Sequence, residues 1–228
     1  MTDDVGFGSS STFGGPIPTP TLDALARQGV RYNQFNTSAL CSPTRAALLT
    51  GRYPQSVGMG NVTNNPTAYP GYTTIIPRSA ATVAEILRSN GYSTAMFGKA
   101  HITPDWEQSQ AGPFERWPTG LGFQYFYGFL NADANQFAPA LVRNTTPVDP
   151  ATGKKDYILD ADLADDAINW IDEQTALAPK KPFFVYYAPG TAHAPHQAPK
   201  EWIDRFHGKF DMGWDAMREA TFKRQTRL

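Results

Sequence analysis

The order helix, strand, functional loop occurs three times along this chain, and that repetition constrains its fold more than any other feature. Thr82-x-x-Glu85 reads as a capping box; Val83, Ile86 and Leu87 form one helix face behind it, and Asn90-Gly91 stops the helix. Tyr92 to Phe97 then reads as a short apolar strand that delivers Gly98-Lys99-Ala100-His101 at its carboxyl end. Leu163, Ala167, Trp170 and Ile171 recur with the spacing of a helix buried on one side. Behind Lys181-Pro182 comes Phe183-Phe184-Val185-Tyr186-Tyr187, a continuous apolar run that predicts a central strand covered on both faces. That strand opens into Gly190-Thr191-Ala192-His193. Near the start, Thr19 caps a helix with Pro20 in its first turn, Leu22, Leu25 and Ala26 give it an apolar face, and Gly29 ends it. Val30 to Phe35 alternates like a strand leading toward a loop at Cys41. The expected fold is α/β, a sandwich around a largely parallel sheet whose ligands gather beyond the carboxyl ends of its strands. Thr103 to Pro150, aromatic and rich in proline and asparagine, predicts long loops with room for one small hairpin.

At 228 residues with 41% hydrophobic content, the chain is one large domain or a piece of one, long enough to bury a sizeable core. A formal net charge of −1 gives no broad field to recruit nucleic acid or anionic lipid, so any affinity for anions must be local. No apolar run approaches the roughly 20 residues of a membrane span, and no basic start followed by an apolar stretch marks a signal peptide.

The only cysteine, Cys41, has no partner for an intrachain disulfide. It opens the run Cys41-Ser42-Pro43-Thr44-Arg45, continued as Ala46-Ala47-Leu48-Leu49-Thr50-Gly51-Arg52. Pro43 and Thr44 suit the first turn of a helix, which places Cys41 just ahead of an N-terminus whose free backbone donors favour an anion. A lone cysteine is commonly an inert buried residue. Cys-x-Pro-x-Arg followed by Leu-Thr-Gly-Arg, however, resembles the signature of the type I sulfatases. The resemblance implies that Cys41 is oxidised after synthesis to formylglycine, whose hydrate is the nucleophile, and that a formylglycine-generating enzyme is a maturation partner.

The same resemblance, which spans essentially the whole chain, gives roles to further residues. Asp3-Asp4, by themselves a solvated turn, match an aspartate pair that binds a divalent metal some forty residues before the cysteine. Calcium is the expected ion, with position 41 as a further ligand, because paired carboxylates suit a hard cation. Arg45, alone a surface ion-pair residue, is expected to hold the formylglycine oxygens. Lys99 is expected to clamp sulfate oxygens. His101 is expected to take a proton from the hydrate. Ala100 stands where the family usually has tryptophan. His193 matches a histidine that bonds the sulfate or leaving-group oxygen, and His196 is a rim residue. His193 and His196 also form a His-x-x-His pair, but no cysteine or further histidine lies nearby to complete a zinc set.

The family's apolar strand ahead of the aspartate pair and its later Asp-Asn ligands have no counterpart among these residues. The chain is thus expected to be the N-terminal part of an alkaline-phosphatase-like catalytic domain, truncated at both ends, and inactive as it stands. The implied activity of the parent is hydrolysis of a small-molecule sulfate ester, in the manner of bacterial arylsulfatases. Two alternatives stay open: a phosphonate monoester or phosphodiester hydrolase of the same superfamily, and a non-catalytic fragment.

Overall fold

Ser93–Lys99 forms strand β1, and all seven of its residues are buried, as the middle of a parallel sheet requires. It runs parallel to β2 (Tyr125–Phe129) on one side and to β5 (Phe183–Ala188) on the other. An antiparallel hairpin of β3 (Leu141–Arg143) and β4 (Thr146–Val148) continues the sheet beyond β2, in the order β4-β3-β2-β1-β5. The computed structural model describes residues 1–228 and divides into two units. Met1–Asp3 with Thr37–Gln197 form the first, which contains the whole sheet. Asp4–Asn36 with Ala198–Leu228 form the second.

Helices cover both faces of the sheet in the first unit, and strand alternation sorts the cores. Met96, Phe126 and Tyr186 face one core, shared with Ala46 and Leu49 of α2 (Cys41–Thr50), Ala84 of α3 (Val83–Ser89) and Trp117. Ala95, Phe97, Tyr127 and Phe129 face the other, shared with Leu159, Leu163, Ala167 and Trp170 of α4 (Leu159–Leu177). This is the α/β sandwich that the alternation of elements predicted. Thr82 caps α3 as expected, its Oγ1 accepting from the Glu85 N–H at 3.1 Å.

Close approach of backbones draws the carboxyl ends of the three parallel strands together. Gly98 stands at φ 97°, and a Cβ there would fall 2.2 Å from the Ala188 carbonyl oxygen; one on its register partner Gly128 would fall 2.0 Å from the Gly98 carbonyl oxygen. Only glycine fits either position.

Several expectations are corrected. β2 lies inside the stretch read as loops, because Tyr125–Phe129 has no alternation to separate it from the surrounding aromatics; the expected hairpin is there as β3–β4. β5 is an edge strand with Phe183 40% exposed, not a central one covered on both faces. Apolar content signals burial but not which edge is paired. Val30 to Phe35 forms no strand, and its alternating Val30, Tyr32 and Phe35 are all exposed. Cys41 is the first residue of α2, not the residue ahead of it. Pro43 therefore sits within the first turn, where its missing N–H is no loss.

The second unit holds α1 (Pro20–Gln28), α5 (Lys200–Asp204) and α6 (Trp214–Gln225). Ser11 and Thr12 hydroxyls donate to the Asp23 carboxylate at 2.9 and 2.7 Å, and Arg224 Nε donates to the Gly14 carbonyl at 2.6 Å. The expected apolar face of α1 is not a buried one: Leu22 and Leu25 are 45% and 63% exposed. A groove of about 890 Å³ lies in this unit between Gly8–Ser9, Pro16–Ile17 and α6, and no candidate site residue lines it. No helix of the chain is long and apolar enough to cross a membrane.

Candidate active site

Lys99 ends β1, and two backbone bonds prolong the pairing past it: the Ala100 N–H to the Phe129 carbonyl at 2.9 Å and the His101 N–H to the Leu130 carbonyl at 3.1 Å. They hold His101 at φ 44°, a left-handed conformation that costs a non-glycine residue on the order of 1 kcal/mol or more. In this posture His101 Nδ1 lies 3.0 Å from Cys41 Sγ, although the two residues are 60 positions apart. Cys41 is half-buried at the first position of α2, and His101 is 2% exposed.

One turn along α2, Arg45 is wholly buried, as is Lys99. Arg45 donates to the Lys99 carbonyl at 2.6 Å and to Asp3 Oδ1 at 3.3 Å; Lys99 Nζ donates to Asp3 Oδ2 at 2.6 Å. Asp3 is itself only 3% exposed and is held by its backbone, whose carbonyl accepts from the Ala192 N–H at 3.0 Å. The Met1 amine donates to the Tyr187 carbonyl at 2.7 Å, so the first residues run beside the end of β5. Two buried cations thus share the Asp3 carboxylate. Arg45 Nε and Ser42 Oγ, both buried, have no hydrogen-bond partner.

These charges act on His101. Burial, foremost, with Lys99 and Arg45 beside it, pulls the imidazole down from about 6.5 to about 3, against a smaller opposing pull from Asp3. His101 is therefore neutral at physiological pH, with one ring nitrogen free to accept a proton. His193, half-buried, is near enough to depress His101 slightly as well. Its Nδ1 is 2.8 Å from the Ala194 carbonyl, which fixes the ring. His196 and His207 are exposed.

The structure thus brings Asp3, Cys41, Arg45, Lys99, His101 and His193 to the carboxyl-terminal end of β1 and β5, where ligands of open parallel sheets bind. Asp4 is exposed at φ 51° and belongs to the second unit. No group of three or more histidine, cysteine, aspartate or glutamate side chains that could hold a metal ion is assembled. Asp3 has both carboxylate oxygens on cations, and two carboxylates fall short of the six to eight or so oxygens that calcium takes. As they stand, these residues do not fit a calcium ion by themselves.

One participant escaped the sequence reading. Tyr186, inside the apolar run of β5, donates its hydroxyl to Met1 Sδ at 3.1 Å; burial pushes its pKa up, while the nearby Arg45 draws it down. Its place in a run of aromatics gave no sign of a polar contact.

Buried cations thus lie beside a cysteine and a neutral histidine at the strand ends of an α/β sandwich, and sequence and structure comparisons agree on the family. The family model described as Sulfatase matches residues 1–227. The chain belongs to the sulfatase family. It is 32% identical to an arylsulfatase of Klebsiella aerogenes over 94% of its own length and 46% of the relative's. It is 31% identical to an uncharacterized sulfatase of Schizosaccharomyces pombe over 100% of its length and 43% of the relative's. Among solved structures, Ps i-CgsB in complex with k-i-k-neocarrahexaose superposes with a TM-score of 0.71 at 26% identity, over 99% of this chain and 51% of that one. The PsFucS1 sulfatase from Pseudoalteromonas sp. shares the fold at TM-score 0.64 and 22% identity, over all of this chain and 50% of that one. The chain spans about half the length of these proteins or less.

Proposed function

We propose that this chain supplies the nucleophile, the proton acceptor and the anion-binding cations of a sulfuric ester hydrolase of the arylsulfatase kind. The observation that carries this reading is the buried Arg45–Asp3–Lys99 cluster beside Cys41 and His101. The buried Arg45 Nε without a hydrogen-bond partner, beside the buried Lys99 ammonium, suits an anion such as a sulfate group.

When position 41 carries formylglycine, one hydroxyl of its hydrate would attack sulfur and displace the alcohol, which takes up the proton that hydroxyl loses, and loss of the second hydroxyl's proton would then expel sulfate and restore the aldehyde. The residues around it divide the remaining work. Lys99 and Arg45 hold the negative oxygens and offset the charge that builds during transfer. His101, neutral and facing position 41, receives the proton of the second hydroxyl. A bound anion counters Lys99 and Arg45, so it raises the basicity of His101 at the moment a base is needed. His193 is the residue that hydrogen-bonds the sulfate or the leaving-group oxygen. Asp3 and Asp4 are the residues of this chain that would contribute to calcium, and the ion requires donors beyond them. A formylglycine-generating enzyme is the maturation partner.

The test is turnover of an aryl sulfate and an aryl phosphonate, side by side, by this sequence expressed within a chain of its relatives' full length with position 41 converted. Faster turnover of the sulfate, lost in Cys41→Ala, is the expected result. Preference for the phosphonate would overturn the substrate class, and parental turnover by Cys41→Ala would overturn the nucleophile.

A further inference from the structure

The loop that carries His193 is held in place by a residue far from it in sequence. Gln136 lies in the segment after β2 and is only 5% exposed, yet both its main-chain and its side-chain polar groups are engaged. Its Nε2 donates to Thr191 Oγ1 at 2.9 Å and to Asp160 Oδ1 at 3.3 Å. Its Oε1 accepts from the Asp160 N–H at 3.2 Å, and its carbonyl accepts from the Leu159 N–H at 2.8 Å. Its own N–H donates to Gln197 Oε1 at 2.8 Å. Thr191 and Gln197 bracket His193, and Leu159 and Asp160 begin α4. Gln136 therefore joins the His193 loop at both ends to the start of a helix whose Leu159 and Leu163 are fully buried.

We propose that Gln136 is a positioning residue: it anchors the Thr191–Gln197 loop to α4 and so fixes where His193 stands over the site. The chemistry requires glutamine. A carboxamide both donates and accepts, so it can meet the Thr191 hydroxyl and the Asp160 amide together. Glutamate would lose the donor and set a second carboxylate against Asp160. Leucine of similar size would remove the partner of the Asp160 amide and of the Thr191 hydroxyl, both part-buried. Within the loop, the Ala192 N–H also donates to the Asp3 carbonyl and the His193 N–H to the Gly190 carbonyl, at 3.0 Å each, and the Gln197 N–H donates to the Pro195 carbonyl at 2.8 Å. The importance of His193 to turnover rests on the function proposed above; the anchoring does not.

Amide hydrogen exchange on the 228-residue chain reads the anchor directly. Gln136→Leu and Thr191→Val, which cut the same bond from opposite sides, are each expected to speed exchange at Ala192 and His193 by about fivefold or more. Exchange at Ala95 to Gly98 of β1 should stay at the parental rate, and the double variant should be no worse than Gln136→Leu alone. Parental protection of the loop in Gln136→Leu overturns the proposal, as does loss of protection shared equally by β1, which would make Gln136 a global stability residue. A parallel measurement separates this from the function proposed: in the full-length, converted protein, Gln136→Leu should lower kcat in proportion to part of the His193→Ala loss and add nothing to it in combination. A loosened loop with His193→Ala at the parental rate would sustain the anchor and contradict the role given to His193.

Discussion

His101 is the residue on which the electrostatics of the site converge, and its depressed pKa has a consequence for stability. The folded value is about 3 against an unfolded value near 6.5, so between those limits the unfolded chain binds more protons than the folded one. Stability is therefore full above pH 6.5 and falls as pH drops toward 3, by up to about 1.4 kcal/mol per unit from this one group. Urea unfolding across that range should show the decline, and His101→Gln should flatten it. Asp3 offers a second test at the same scale. Removing its carboxylate leaves Lys99 and Arg45 buried together without a counter-charge, so Asp3→Ala is expected to destabilise by about 3–5 kcal/mol. An Asp3→Ala midpoint equal to the parent's would show that the cluster is not a structural tie.

At the scale of elements, the strand ends are as demanding as the side chains above them. Gly128→Ala puts a methyl group 2.0 Å from the Gly98 carbonyl oxygen, between β2 and β1, and overpacking of this kind costs about 1–3 kcal/mol. Thr82→Ala removes the cap of α3 and its hydroxyl's bond to the Leu121 carbonyl, and about 1 kcal/mol is expected from the cap alone. Thermal unfolding of both variants checks these values. Much of this architecture was legible because the signals are local: the Thr82 capping box, the buried face of α4 and the Lys99–His101 segment each lie within a few residues. The ion pairs of Asp3 were not legible, since its partners stand 42 and 96 residues away. β2 and the edge position of β5 were hidden for a related reason: which strands pair is decided across the sheet, and an apolar run carries no record of its neighbours. Gln136, a single polar residue among asparagines and aromatics, carried no signal at all.

For the whole molecule, the first unit places six side chains of five chemical kinds at the carboxyl ends of a parallel sheet, and the sulfatase family match runs from residue 1 to 227. The chain covers 46% of an arylsulfatase relative and about half of its structural neighbours, so turnover is asked of the longer protein, whereas the chemistry of position 41 can be asked of this chain itself. Everything proposed for the site depends on Cys41 becoming an aldehyde. Mass spectrometry of the peptide that contains Cys41, after co-expression of the 228-residue chain with a formylglycine-generating enzyme, measures that conversion. The expected result is formylglycine at position 41. An intact thiol at Cys41, under conditions that convert a control sulfatase, would contradict the mechanism at its first step.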